Sequence, residues 1–231
     1  NTAAWLILLL PLFSAVVIGL GAFRSRKASA AISVGAVVGS FLLTLLLVSA
    51  GVKEGPTHTW LEFESLQIDI GLQIDPLSKL MLCVVTGVGS LIHIFSLGYM
   101  NKDRDFSRYF AFLSLFIFSM LGIVLADNFV MMFIFWELVG VSSYLLIGFW
   151  FEKPSAADAA KKAFLTNRVG DFGFLIGVLM VWTVFGSVGF ADLAKSVSGG
   201  TATITGLAAP SALESKWKSN ACSGWPVSSI T

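Results

Sequence analysis

The chain has 231 residues, of which 56% are hydrophobic and 13% are charged, and its formal net charge at pH 7 is +1. Soluble globular proteins carry about 25% charged residues, so the composition excludes an ordinary water-soluble domain. The small net charge gives nucleic-acid binding no electrostatic basis. Two cysteines, Cys83 and Cys222, and two histidines, His58 and His93, lie far apart in the sequence. This spacing predicts neither a disulfide framework nor a metal centre.

Six apolar segments follow one another along the chain, at roughly 4–23, 30–51, 76–99, 108–126, 128–150 and 160–186. Each is long enough to cross a hydrocarbon core about 30 Å thick as a helix that rises about 1.5 Å per residue. The strands of a transmembrane barrel would alternate apolar and polar residues, whereas these runs are continuous. The sequence therefore predicts an all-α, polytopic transmembrane bundle of about six helices.

Basic residues in the loops predict the orientation of the bundle. Nine lysines and arginines follow segments one, three and five, whereas only two lie close after the other segments, ahead of the atypical tail. This alternation fits the positive-inside rule and predicts that the N-terminus lies outside. The first segment is predicted to be a retained helix and not a signal peptide, because its basic cluster follows the apolar run. The nine residues are Arg24, Arg26, Lys27, Lys102, Arg104, Arg108, Lys153, Lys161 and Lys162, and the two are Lys53 and Lys195.

Two stretches depart from the apolar pattern. Residues 52–74 alternate apolar and polar side chains, which predicts a short β-hairpin or extended cap on the outer face. Its acidic residues, Glu62, Glu64 and Asp69, are interpreted as a solvated loop in preference to an ion-capturing site. After about residue 187 a short amphipathic piece precedes an atypical Gly/Thr/Ser-rich tail, which we interpret as a disordered end, a truncation or a reading-frame change.

Ionisable residues in the middle of a predicted span are the strongest functional signal, because each costs roughly 2.5–3.5 kcal/mol to insert there. Glu137 lies about nine residues into segment five, with no basic residue beside it. Desolvation disfavours its ionised form, which suits a group that takes up and releases a proton near neutral pH. The alternative is a structural carboxyl that hydrogen-bonds a neighbouring helix. Arg168 and Asp171, three residues apart on one helix face, are candidates for function or for an internal ion pair.

Three further residues are weaker candidates. Lys161 and Lys162 lie at the inner end of segment six. Lys161 is predicted to extend toward the membrane interface, and Lys162 could instead point inward and join a chain of charges. His93 lies deeper in segment three, where its imidazole could titrate in the physiological range. A polar contact between helices is an equally good interpretation of His93.

Three pairs of residues predict local structure. They are Asp75 with Lys79 at the outer start of segment three, Asp127 with Asn128 between segments four and five, and Gly173 with Gly177 in segment six. An Asp directly before Pro76 predicts a helix N-cap and an interface anchor. The second pair predicts a tight turn, and two glycines four residues apart favour close helix packing.

No nucleotide-binding loop, Rossmann glycine pattern or cysteine cluster is present in the sequence. Segments three to six instead resemble a known family of membrane proteins. The runs SLIHIFSLGYM at 90–100, RYFAFLSLFIFSMLGIVLADNFVMMFIFWELVGVSSYLLIGFW at 108–150 and AAKKAFLTNRVGDFGFLIG at 159–177 are similar to the large antiporter-like subunit of respiratory complex I. That subunit is of the subunit 5 or L type and is related to Mrp antiporters. The similarity covers roughly residues 3–195.

The resemblance implies which residues act. It makes Glu137 of WELVG the key mid-membrane glutamate, Arg168 and Asp171 of RVGD members of the polar network beside it, and His93 the characteristic histidine of the third helix. In the family a lysine on a broken seventh helix pairs with the glutamate, and that helix is not recognisable here. The chain would then be an N-terminal portion, with a two-helix part at 1–74, a translocating region at 75–195 and a tail at 196–231.

The resemblance also implies a function. The chain would be a proton-translocating membrane subunit of an NADH:quinone oxidoreductase, and the alternatives are an Mrp-type cation/proton antiporter subunit and a non-functional truncated chain. Its partners would be other complex I membrane subunits, lipid and protons, with no nucleic acid. NADH, FMN, iron–sulfur clusters and quinone would bind to partner subunits, and no cofactor or metal is expected in this chain. We expect a bacterial plasma membrane, with a mitochondrial inner or thylakoid membrane as alternatives.

Overall fold

The computed structural model describes residues 2–21, 25–52, 55–63 and 66–198. Four residues named above, Arg24, Lys53, Glu64 and Cys222, lie outside the described residues, as do residues 199–231 of the predicted tail. The side chains of His58, Glu62 and Asp69 also lie outside the description. The remaining candidates, including every residue proposed to carry protons, are described.

Seven helices and two strands make up the described chain. The helices are α1 (Thr2–Leu20), α2 (Arg26–Ser49), α3 (Pro76–Tyr99), α4 (Phe106–Leu125), α5 (Phe129–Ile147), α6 (Pro154–Phe185) and α7 (Phe190–Ser198). Strands β1 (Thr57–Phe63) and β2 (Leu66–Gly71) pair antiparallel between α2 and α3. The first six helices are long and apolar enough to cross a membrane. They match the six predicted segments and confirm the prediction of a polytopic helical membrane protein.

Capping residues explain where several helices begin and end. Asp75 accepts a hydrogen bond from the backbone N–H of Ser78 at 2.6 Å, as its place before Pro76 predicted. Asn128 caps α5 in the same way, accepting from the N–H of Met131 at 2.7 Å. The α6 helix ends at Gly186, which adopts a left-handed conformation with φ of 69°.

Two details of the local predictions come out differently. The α6 helix begins at Pro154, six residues before the predicted segment, because proline suits the first turn of a helix and alanines follow it. The prediction of close packing at Gly173 and Gly177 is wrong for the described chain. A Cβ atom at either position would meet no heavy atom within 4 Å, so this face of α6 contacts no other described helix.

Helix α4 lies at the centre of the bundle. It packs against α1, α2, α3 and α5, whereas α6 packs against α5. More than half of its spanning window is buried, against 11% for α5 and for α6. The main apolar core joins α4 side chains such as Leu121 and Leu125 to Ile7 of α1, Val37 of α2 and Leu82 of α3. The α5–α6 pair is therefore attached to one edge of a four-helix core.

The loops gather at two opposite ends of the bundle. At one end, the N–H of Gln73 donates to Leu125 at 2.9 Å, and the N–H of Phe190 donates to Asp127 at 3.0 Å. This end holds the sheet and the turn at Asp127 and Asn128, which was predicted from sequence and joins α4 to α5. At the other end, Arg26 donates to the carbonyl of Asn101 at 2.9 Å.

The basic loops share that second end. Trp150 Nε1 donates to Asp103 at 2.8 Å, and Arg108 donates to the carbonyl of Phe149 at 3.0 Å. These bonds tie the α3–α4 loop to the α5–α6 loop, while Arg26 ties α2 to the former. The three loops in which basic residues accumulate therefore meet at one face of the bundle.

Candidate functional site: an ion cluster between α5 and α6

The middle of α5 and the middle of α6 carry the charged residues singled out in the sequence. Glu137 is the ninth of the 19 residues of α5, and Arg168 and Asp171 lie one turn apart in the 32-residue α6. Both helices are long and apolar enough to cross a membrane, although Thr166 and Asn167 directly precede Arg168 in α6. Packing α6 against α5 brings the three side chains together, as the resemblance implied.

Arg168 is shared between the two carboxylates. Its Nη1 forms an ion pair with Oε2 of Glu137 across the helix interface and lies 3.8 Å from Oδ2 of Asp171 on its own helix. The Asp171 side chain is 9% exposed, that of Glu137 22% and that of Arg168 37%. The structure contains the contacts of both alternatives derived from sequence, because Glu137 is bonded to a neighbouring helix and Arg168 lies within ion-pair distance of Asp171. It joins the two through one cation that serves anions on different helices.

A fourth residue completes the cluster. The indole Nε1 of Trp136 donates a hydrogen bond to Oδ1 of Asp171 at 2.9 Å. Trp136 and Glu137 are consecutive in α5, so this helix contacts both the carboxylate of Asp171 and the guanidinium of Arg168 on α6. The sequence analysis missed Trp136. The available signal was its indole N–H in mid-span, since such a donor requires a partner in a membrane.

Aromatic rings enclose the cluster along the interface of the two helices. On one side Trp136 packs edge-to-face on Phe174, with ring centroids 5.7 Å apart. On the other side the guanidinium of Arg168 lies 4.7 Å from the centre of the Phe164 ring, which also packs against Tyr144. A cation over an aromatic face is stabilised electrostatically. The Phe164 ring thus adds a cation–π contact to the ion pairs of Arg168.

The chemistry that this arrangement permits is proton transfer at the carboxylates. An arginine keeps its proton in proteins, so Arg168 acts as a fixed charge that can favour one carboxylate over the other. A carboxylate that loses its cation in a membrane is driven to bind a proton. Glu137 and Asp171 are therefore the groups of the cluster that have an exchangeable proton, and Arg168 is the cation that lies between them.

His93 contacts residues of α3 and α4. Its side chain is fully buried, its Nδ1 lies 2.8 Å from the carbonyl oxygen of Gly89, and its ring packs edge-on to Phe110. Its Nε2 has no hydrogen-bond partner among the described residues. The described contacts of His93 thus join it to its own helix and to α4. A proton-carrying role for His93 stays a prediction.

The two lysines near the start of α6 are not part of the cluster. Lys161 is exposed and pairs with Asp158 at 3.5 Å. Lys162 is exposed and forms no ion pair within the described part of the chain. It lies six residues before Arg168, which places it about 9 Å away along the axis and on another face of the helix. Its predicted place in a charge chain therefore stays a prediction.

The remaining predicted pair, Asp75 and Lys79, lies at the N-terminus of α3. Asp75 caps α3 through Ser78, and the N–H of Lys79 donates to the Asp75 carbonyl at 3.0 Å. Burial is slight there, and the hydrogen bond from Ser78 lowers the pKa of Asp75 below its ordinary value. Across the described residues, no group of three His, Cys, Asp or Glu side chains is arranged to hold a metal ion.

Two family models match the chain. One, described as the N-terminus of chain 5 of NADH-ubiquinone oxidoreductase (complex I), matches residues 60–110. The other, described as the transmembrane region of NADH:quinone oxidoreductase and Mrp antiporters, matches residues 126–222 and so contains the whole ion cluster. This second match extends past residue 195, where the sequence analysis ended the resemblance.

Curated relatives agree with these models. The chain is 45% identical over 206 residues to the chloroplast NAD(P)H-quinone oxidoreductase subunit 5 of Zygnema circumcarinatum, covering 84% of this chain and 29% of that protein. It is 44% identical over 203 residues to the NADH-quinone oxidoreductase subunit L of Mycobacterium tuberculosis, covering 84% and 32%. The chain therefore spans about a third of the length of the curated relatives it matches.

Solved structures share the fold. A chain of the archaeal membrane-bound sulfane sulfur reductase superposes with a TM-score of 0.74 at 20% identity, over 89% of this chain and 42% of that chain. A chain of the Mrp complex of Dietzia sp. superposes with a TM-score of 0.71 at 22% identity, over 85% and 21%. Together with the sequence relatives, these matches show that the chain belongs to the family of antiporter-like membrane subunits of NADH:quinone oxidoreductases and Mrp antiporters, and that within it the chain is of the subunit 5 or L type.

Proposed function

We propose that the chain is part of a proton-translocating membrane subunit of an NADH:quinone oxidoreductase. The observation that carries the proposal is the sharing of Arg168 between Glu137 and Asp171 in the middle of two spans. Ionisable groups at this depth mark ion pathways by default. The names of the relatives at 44–45% identity support the link to NADH and quinone.

The proposed mechanism is electrostatic. When a neighbouring element displaces Arg168 toward Asp171, Glu137 loses its cation and binds a proton. When Arg168 returns, the ionised form of Glu137 is favoured again and the proton leaves. Because the two acids lie on different helices, a small shift of α6 against α5 changes which of them is paired. Proton release toward the opposite side requires a further acceptor, and the family's lysine on the seventh helix is the proposed one.

Redox chemistry is assigned to other subunits in this proposal. The relatives are named as subunits of quinone oxidoreductases, and the structural neighbours are membrane complexes, so membrane-subunit partners are expected. NADH, FMN, iron–sulfur clusters and quinone would then bind to those partners. This chain would contribute the membrane path for protons and its contact with lipid.

The second candidate is a subunit of an Mrp-type cation/proton antiporter, which would move protons without a redox partner. The description of the second family model includes these antiporters, and the Dietzia complex shares the fold. The relatives at higher identity favour the first candidate. Proton movement driven by NADH oxidation, as opposed to a sodium gradient, separates the two.

Orientation and membrane are part of the proposal. The meeting of the basic loops at one face supports an inner position for that face under the positive-inside rule, and a bacterial plasma membrane is proposed. A cysteine placed at Gly51 should react with an impermeant reagent added outside, and a cysteine placed at Lys102 should not. Equal labelling of both from outside would overturn this topology.

The main test replaces Glu137 with glutamine in the subunit carried by its native membrane complex. We expect assembly to be retained and NADH-driven acidification of inverted vesicles to fall at least about a hundredfold, the low end of the range by which removing a proton-transfer group typically slows a reaction. The matched control is Glu152→Gln, which makes the same change in the exposed loop after α5 and should pump normally. Normal pumping by the Glu137→Gln variant would overturn the proposed function.

A further inference from the structure

We propose that Trp136 is a positioning residue that determines how Arg168 is divided between Glu137 and Asp171. The inference rests on the proposed function, because it concerns the same ion cluster. Trp136 donates its indole N–H to Oδ1 of Asp171, while Arg168 lies 3.8 Å from the other oxygen, Oδ2. Each oxygen of Asp171 therefore faces its own donor.

The indole N–H supplies part of the hydrogen bonding that the Asp171 carboxylate would otherwise require from Arg168. Asp171 is the one carboxylate among the buried polar residues of the described chain, with 7% of its surface exposed. An ionised carboxylate at such a site needs hydrogen-bond donors. The N–H of Trp136 supplies one at 2.9 Å, so Asp171 has a donor of its own while Arg168 stays in its ion pair with Glu137.

The orientation of the indole is fixed by packing and by chain position. Its ring lies edge-to-face on Phe174, one turn beyond Asp171 on the same helix. Since Trp136 directly precedes Glu137, any shift of α5 along α6 moves the donor to Asp171 and the acceptor for Arg168 together. The two contacts change as a unit, which couples the protonation of the two acids.

Other charged or titratable groups on the helices around α5 lie toward its ends. Tyr144, on α5 itself, packs its ring on Phe164. The remaining ones are Arg108 and Tyr109 at the start of α4, Asp158, Lys161 and Lys162 before the cluster on α6, and Asp192 and Lys195 on α7. Of these, Asp158 pairs with Lys161 and Asp192 with Lys195. Among the described residues, the groups that face the middle of α5 are thus Arg168 and Asp171.

Removing the indole N–H should therefore change the pH dependence of translocation. Without this donor, Asp171 draws Arg168 toward itself, and Glu137 binds its proton more readily. We expect the acidic limb of the pH profile for NADH-driven pumping to move to higher pH by at least about half a unit. The variants are Trp136→Phe, which keeps one aromatic ring, and Trp136→3-benzothienylalanine, which keeps both rings and replaces N–H with sulfur.

The chain offers a matched control. Trp150 donates its Nε1 to Asp103 at 2.8 Å in the basic loops, outside the spans. Trp150→Phe removes the same kind of bond and should leave the pH profile unchanged. In the double variant with Asp171→Asn, the Trp136 substitution should cause no further shift, because the anion that its N–H serves is gone.

The outcomes separate this inference from the proposed function. Normal pumping by Glu137→Gln would overturn the function and the inference together. If Glu137→Gln fails to pump, an unshifted profile in the benzothienyl variant overturns the inference alone. Lower pumping at every pH without a shift in the profile, or a shift of equal size in Trp150→Phe, also overturns it, since either result means that the ring has only a structural role.

Discussion

The four helices α1 to α4 and the pair α5 and α6 satisfy their polar side chains in different ways. In the four-helix core, the polar side chains form hydrogen bonds between neutral groups. Some lie within one helix, as from Thr86 and Ser90 to carbonyl oxygens four residues earlier, and others join two helices, as between Ser33 and Ser114 and from Ser40 to the carbonyl oxygen of Ile7. In the pair, an indole, a guanidinium and two carboxylates bind one another across the helix interface. A bond within one helix persists when that helix moves, whereas a bond between two helices changes. Movement of α6 against α5 therefore rearranges an ion pair, whereas movement between the core helices rearranges hydrogen bonds between neutral groups.

The helices of the four-helix core and those of the α5–α6 pair also differ in how much of their surface is buried. The α4 window is 56% buried within the described chain, and the windows of α5 and α6 are each 11% buried. Apolar side chains such as Leu165, Val169 and Phe172 cover the outer surface of α6. The charges of the cluster are therefore surrounded by apolar groups and have chiefly one another as partners. This makes the cluster sensitive to the loss of any one member.

Replacing Arg168 with methionine should cause the largest loss of stability. The variant leaves Glu137 and Asp171 without the cation between them, and removing one partner of a buried ion pair typically costs about 3–5 kcal/mol. We expect about 3 kcal/mol, the low end of that range, because the Glu137 and Arg168 side chains are 22% and 37% exposed. Steric trapping in lipid bilayers measures the free energy of unfolding.

The control for this prediction lies on the same helix. Lys161 pairs with Asp158 at 3.5 Å, but its side chain is 70% exposed. Exposed pairs contribute about 0–1 kcal/mol, so Lys161→Met should change the free energy of unfolding by no more than that. Equal losses in the two variants would contradict the contrast between a shared interhelical cation and an exposed one.

Replacing Gly122 with alanine should cost about 2 kcal/mol, the middle of the range for an overpacked core. A methyl group at Gly122 of α4 would lie 2.1 Å from Cδ1 of Phe135 on α5. The Phe135 ring is held by an edge-to-face contact with Phe118 at 5.3 Å, so it must shift to make room. The free energy of unfolding in bilayers checks the value.

A second glycine provides the comparison. A Cβ atom at Gly177 would meet no heavy atom within 4 Å, and alanine stabilises a helix interior by up to about 1 kcal/mol relative to glycine. Gly177→Ala should therefore be neutral or slightly stabilising. A loss as large as that of Gly122→Ala would mean that the α6 face is as closely packed as the α4–α5 interface.

Most of the fold was predictable from the sequence, because a membrane imposes simple rules on length and polarity. Segments of about 20 apolar residues predicted six spans. The pair Asp75–Pro76 predicted a helix start and the pair Asp127–Asn128 predicted the short connection between two helices, both correctly. Packing was less predictable. Gly173 and Gly177 followed a common packing pattern but contact no other described helix, since spacing along one helix does not reveal which neighbour faces it.

Three of the four residues of the ion cluster were predictable from the sequence, but the contacts between them were not. Insertion cost and the family resemblance both selected Glu137, Arg168 and Asp171. The sharing of one cation between two acids depends on how α6 lies against α5, which single-helix spacing cannot give. Trp136 was missed because it was counted as an apolar residue of the span, although its indole N–H is a hydrogen-bond donor. A mid-span indole beside a buried acid is the signal to seek in related sequences.

The smallest predicted effect concerns a cap at the end of the core. Asp75→Ala removes the bond from the N–H of Ser78 and should cost about 1 kcal/mol at neutral pH. Asp158→Ala, at an exposed acid without a capping role, should change stability less.

Because the Ser78 hydrogen bond lowers the pKa of Asp75 in the folded protein, the stabilisation by this cap is complete above the ordinary aspartate pKa of about 3.9. It is lost as the pH falls through the lower folded value, so the difference between wild type and Asp75→Ala should shrink below about pH 4. A difference that stays constant down to about pH 2 would contradict a charged cap, and would assign the effect of the substitution to packing.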